Sequence, residues 1–126
     1  MGYDKVNLSD VTDSAAEHGL GELQEARFPR EDVGTESTGF AHIKVKPGQR
    51  QPFAHRHATA EELHVILSGS GTMKVDAELV AVGPRDIIRV DPTSTRAFEA
   101  GDEGLEYLVF SPRRANDAEI VKDFWR

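Results

Sequence analysis

The sequence predicts an all-β domain, an antiparallel sandwich or barrel, and three observations carry that prediction. From Phe40 onward, short apolar-rich runs recur at intervals of roughly ten residues. Turn chemistry stands between them, and no stretch in this part has the 3.6-residue apolar period of a helix. Finally, 126 residues are too few for two independent cores, so the runs must share one.

Taken in order, residues 1–36 form an N-terminal arm. It holds a short helix over 13–18, introduced by the cap-type residues Ser9, Asp10 and Thr12, and then a strand over 22–28 that stops at Pro29. The run EDVGTESTG reads as a polar loop. The barrel, 37–112, carries predicted strands at 40–46, 51–57, 62–67, 72–75, 79–82, 86–90, 95–99 and 105–110. Pro47-Gly48, a Gly69-Ser70-Gly71 hairpin, Gly83-Pro84, Asp91-Pro92 and the AGDEG run separate them. Val75, Leu79, Ile87, Ile88, Val90, Leu108 and Val109 are the residues expected to fill the core. A tail, 113–126, is basic and polar until the Phe124-Trp125 pair, which is expected to dock on an apolar surface.

Composition narrows the function. Hydrophobic residues at 38% and charged residues at 29% are ordinary for a globular protein. The absence of cysteine excludes disulfides, thiolate metal ligands and a cysteine nucleophile. A net charge of −7 is a poor match for nucleic acid or anionic lipid, both of which need a positive field. No apolar run is long enough to span a bilayer, and MGYDKVNLSD lacks the pattern of a secretory signal. The expectation is a cytoplasmic domain with a small-molecule ligand, binding neither nucleic acid nor membrane. No Gly-x-Ser-x-Gly, Ser-x-x-Lys or phosphate-cradling glycine loop occurs, which disfavours serine hydrolysis and nucleotide binding.

Chemistry concentrates in three of the five histidines. His55 and His57 are separated by one residue, so on a strand they share a face. On the next strand Glu62, His64 and Ile66 share a face in the same way. Two imidazoles and a carboxylate meeting across strands make a set that suits a divalent transition metal, with bonds near ~2.1 Å. The same residues can also form a metal-free hydrogen-bonded patch. Gln51 and Phe53 have the parity of His55 and His57 and line the same cavity. His64 and Tyr107 are candidate acid–base groups, although parity leaves open which face of the last strand points inward. His42 alternates with Phe40 and Lys44 and is read as a surface residue.

The segment PGQRQPFAHRHATAEELHVILSGSG resembles the first conserved motif of the cupin superfamily. Gly48, His55, His57, Glu62 and Gly69 take its places, with one extra residue in the spacer after Gly48. Glu61 fits the looser spacing, but shares its face with Leu63, Val65 and Leu67, so Glu62 is preferred. The segment VGPRDIIRVDPTSTRAF lies where the second motif belongs. There Pro92 matches, while Arg85 and Ser94 replace glycines and Arg96 stands where the last histidine ligand belongs. The resemblance implies a single jelly-roll β-barrel, a homodimer, and a metal (Fe, Mn, Ni, Cu or Zn) on His55, His57 and Glu62.

Arg96 puts that metal in question, because a guanidinium stays protonated and cannot ligate. Either the three remaining ligands keep the metal and Arg96 orients an anionic substrate, or Arg96 pairs with Glu62 and replaces the metal's charge. It can also sit solvated at the barrel mouth. The corresponding functions are a metal-dependent oxygenase or isomerase acting on a small anionic metabolite, and a metal-free binding or sensor barrel anchored by Arg96. A third is a metal-free isomerase or epimerase using His64 or Tyr107.

Overall fold

The computed structural model describes residues 2–126. A 3₁₀ turn, Leu8–Asp10, is capped by Asn7. Helix α1 (Ser14–Glu17) is capped by Asp13, which accepts from Ala15 N at 3.0 Å and also from Ala26 N at 2.9 Å. One carboxylate thus caps the helix and fastens it to strand β1 (Gln24–Arg27). The cap is Asp13 rather than Ser9, Asp10 or Thr12, because only a residue directly before the first turn can reach its free N–H groups. The segment read as a polar loop contains a second short helix, α2 (Arg30–Val33), which starts after Pro29 and ends at Gly34 in the left-handed region.

The strands that follow are β2 (Thr38–Val45), β3 (Ala54–His57), β4 (Glu62–Val75), β5 (Glu78–Val82), β6 (Ile87–Val90), β7 (Arg96–Pro112) and β8 (Ala118–Val121). They form one curled antiparallel sheet, folded into two layers of a jelly-roll type. One layer runs β1, β2, the C-terminal half of β7, the N-terminal half of β4, β6. The other runs β8, β3, the N-terminal half of β7, the C-terminal half of β4, β5. No described helix is long and apolar enough to cross a membrane.

Two expected turns are therefore not turns. Gly69-Ser70-Gly71 lies inside β4, and AGDEG lies inside β7. Both are corners at which a long strand passes from one layer to the other, the usual way a folded-over sheet turns. The register slips between Ile66 and Ser68 and again between Gly69 and Gly71. Gly69 has φ +78, and a Cβ there would strike the Gly104 carbonyl. Glycine chemistry signals a bend equally well in either setting, so the sequence alone reads it as a hairpin.

Three further corrections concern burial and extent. Leu79 and Ile87 are exposed rather than core, lying on the outward faces of β5 and β6. His42 is buried on the outer face of β2, where its Nε2 meets Glu106 Oε2 at 2.6 Å; parity gave its side of the sheet but not the acid that covers it. The C-terminal segment contributes strand β8, paired with β3 along Ala54–His57. Beyond β8, Trp125 Nε1 donates to the Gln51 carbonyl at 3.1 Å beneath the Arg50 guanidinium, and Lys74 lies over the Phe124 ring. The core between the layers comprises Ile43, Val45, Ile66, Met73, Phe98 and Leu105, with Tyr107 beside them.

Candidate functional site

The two layers place their inward-facing polar residues opposite one another. β3 supplies His55 and His57, β4 supplies Glu62 and His64, and the start of β7 supplies Arg96, paired in register with His55. Alternation along β3 turns Arg56 outward to Glu119 and leaves both histidines on the cavity side. All five residues line one cavity of about 330 Å³, which also receives Gln51, Phe53 and Tyr107.

Glu62 is the centre. Its Oε1 lies 3.1 Å from His55 Nε2, 2.9 Å from Arg96 Nη2 and 3.6 Å from His64 Nε2; its Oε2 lies 3.0 Å from His57 Nε2. Burial opposes ionisation of Glu62. The hydrogen bond and charge of His55, with the charge of Arg96, outweigh it and hold the carboxyl well below the usual carboxylate range. The ligand atoms of His55, His57 and Glu62 fall within 4.8 Å of one another, so this set can hold a metal.

A residue that sequence reasoning missed sharpens this. Asp117, just before β8, places Oδ2 3.2 Å from His57 Nδ1. It also accepts from Thr59 Oγ1, Thr59 N and Ala60 N, with the Thr59 hydroxyl the main reason its pKa falls to about 2. His57 is thus bracketed by two carboxylates. An imidazole that donates Nδ1–H to Asp117 turns its Nε2 lone pair on Glu62 Oε2, an acceptor facing an acceptor, unless a cation lies between them. A proton or a metal ion satisfies that demand. The distances admit either: 3.0 and 3.1 Å, to different oxygens of Glu62, are hydrogen-bond lengths, and they are also close to the roughly 3 Å between adjacent ligand atoms bonded to a metal at about 2.1 Å and right angles. Nothing in the spacing tied Asp117, sixty residues on, to His57; only the β3–β8 pairing does.

Arg96 is only 1% exposed, so it is not solvated at a barrel mouth. Besides Glu62, it donates through Nη1 to the carbonyls of Ser94 at 2.6 Å, Pro92 at 3.2 Å and Asp91 at 3.4 Å. Both terminal nitrogens of its guanidinium are thus held by the chain's own acceptors, while its buried Nε has no hydrogen-bond partner among the described residues.

His64 is buried against the paired rings of Phe98 and Tyr107, and burial lowers its pKa to about 4, leaving it neutral near pH 7. Tyr107 faces inward together with Leu105 and Val109, which settles the parity of β7. Burial pushes its hydroxyl above the ordinary tyrosine range, and it accepts from Gln51 Nε2 at 2.9 Å. Gln51 also donates to Gln24 and accepts from Phe98 N, so its amide joins β1, β3's approach and β7. Phe53 stands 39% exposed at the cavity edge.

A family model described as a cupin domain matches residues 41–111. The chain belongs to the cupin family. This cupin is 32% identical over 81 residues to the uncharacterised protein MJ1618 of Methanocaldococcus jannaschii, a match spanning 62% of the chain and 65% of that protein. The chain therefore spans just under two thirds of that relative's length. Among solved structures it is similar to a cupin protein, BF4112, from Bacteroides fragilis, at TM-score 0.71 and 19% identity over 92% of this chain and 88% of the other. It is also similar to the polyketide cyclase RemF of Streptomyces resistomycificus, at TM-score 0.73 and 19% identity over 95% and 84%. At such identity these structures establish the cupin fold and nothing finer.

Proposed function

We propose that this cupin is a metal-dependent enzyme of the oxygenase or isomerase type, with His55, His57 and Glu62 holding a divalent transition metal at the floor of the cavity. The observation that carries the reading is His57 between two carboxylates, an arrangement that calls for a cation at Nε2. Such an ion, held by three protein ligands with positions left free, supplies Lewis-acid and redox chemistry. Asp117 orients His57, and Arg96 offsets the charge of Glu62 without contacting the substrate. His64, neutral and 1% exposed against the same cavity, offers a hydrogen-bonding imidazole there rather than a base, because burial disfavours its charged form. The substrate is a small molecule held by an apolar wall.

A specific contact favours a second reading, the metal-free binding barrel: Arg96 already stands 2.9 Å from Glu62 and repels a second cation. Elemental analysis after incubation with Fe, Mn, Ni, Cu or Zn separates the two. Near-stoichiometric metal that is lost in His57→Ala supports the enzyme; no retained metal in the folded wild type transfers the assignment to the metal-free barrel.

A further inference from the structure

The cavity above the His–Glu cluster has walls of a different character from its floor. Ala26, Phe28, Ile43, Phe53, Phe98 and Ile120 supply them. Phe28 and Phe53 are 48% and 39% exposed, which marks the opening. Beside them is one charged group outside the cluster, Arg30 of α2, exposed and lining the same cavity.

Arg30 reaches that position because β2 carries Gly39. A Cβ on Gly39 would lie 3.2 Å from Arg30 Cδ, so the missing side chain lets the arginine stem cross the strand. The adjacent acid, Glu31, is engaged by Arg113. Among the described residues Arg30 itself has no ion-pair partner, in contrast to Arg96, whose two terminal nitrogens are directed to Glu62 and three carbonyls. The cavity therefore has a free cation at its mouth, aromatic and aliphatic walls, and ligating groups at its floor.

We propose that the cavity takes an apolar, ring-bearing carboxylate, its anionic group paired with Arg30 at the opening and its rings against Phe28, Phe53 and Phe98. The far end of the molecule then faces His55, His57 and Glu62. A partly exposed arginine recognises the anion at little desolvation cost, and the rings provide burial and edge or stacked contacts. This rests on the reading of the cavity as the substrate site, and it relocates the anion anchor from Arg96 to Arg30.

The test is calorimetric titration of the full chain with 2-naphthoate and with the neutral isostere 2-naphthamide, both in chelator-treated and in manganese-loaded protein. Naphthoate is expected to bind more tightly than the amide. Arg30→Gln, on an exposed helix, is expected to weaken naphthoate by roughly fivefold while leaving the amide within twofold. Ala118→Phe, which fills the cavity from the exposed edge strand β8, is expected to abolish both. Absence of naphthoate binding, equal loss of acid and amide in Arg30→Gln, or binding that survives Ala118→Phe overturns the proposal. The Arg30 dependence is read with and without metal. A chain that binds naphthoate through Arg30 but retains no metal thus refutes the metalloenzyme alone, and a chain that retains metal but ignores naphthoate refutes the substrate class alone.

Discussion

At the scale of single residues the site turns on two side chains that do not touch a metal position, Asp117 and Arg96. Asp117→Asn keeps the shape at His57 but removes the charge that holds Nδ1–H, so metal affinity is expected to fall about 10–100-fold, measured by competition with a chelating dye. Unchanged affinity in a folded variant would contradict the role given to Asp117. Arg96→Met strands the buried Glu62 carboxylate, and the metal-free protein is expected to lose about 3 kcal/mol, the cost of breaking a buried pair. Added metal is expected to restore much of that loss, because it supplies the missing charge. Thermal melts with and without manganese read both arms, and destabilisation that metal does not reverse would count against a shared site.

At the scale of elements the corners of β4 and β7 allow two strands to serve both layers. Gly69→Ala must accept a positive φ and a clash with the Gly104 carbonyl, so it is expected to cost at least about 2 kcal/mol in urea unfolding; a neutral effect would mean that the corner is pliable. The same corners show where the sequence is ambiguous. Alternation placed His55, His57, Glu62 and His64 on inward faces, because facing depends only on the two-residue period. The boundaries at Gly69 and at AGDEG were not legible, since glycine signals a bend without saying whether the chain reverses. Strand β8 was hidden because Ala118–Val121 is only four residues long, follows a basic and polar run and is largely exposed. Arg96 was legible by its displacement of a histidine, but its carbonyl partners belong to a loop conformation that no spacing encodes.

At the scale of the whole molecule the buried ionisable groups give stability a pH dependence of known sign. His64 is neutral in the fold, its pKa lowered from 6.5 to about 4 by burial. Between those values the unfolded chain takes up a proton that the native state refuses, so stability falls as pH drops through this window. The loss is on the order of 2–3 kcal/mol for this shift. Glu62, Asp117 and Glu106 are carboxyls with lowered pKa, whose contribution is present above their unfolded values and lost as pH falls below them. Chelator-treated protein is therefore expected to be most stable above pH 6.5 and to weaken continuously below it. In His64→Gln the slope between pH 6.5 and about 5, above the range where the carboxyls protonate, is expected to disappear; a slope that persists there would assign it to another group.

The central claim is that a cation belongs between His57 and Glu62, and that a metal is that cation. The most direct measurement is calorimetric titration of chelator-treated protein with manganese and with zinc, in two buffers of different ionisation enthalpy. The expected result is one metal per chain, an apparent enthalpy that differs between buffers because protons leave as the metal enters, and loss of the signal in His57→Ala. Absence of binding, or binding indifferent to His57 and Glu62, would contradict the claim and leave the Arg96–Glu62 pair as the permanent charge of a metal-free barrel.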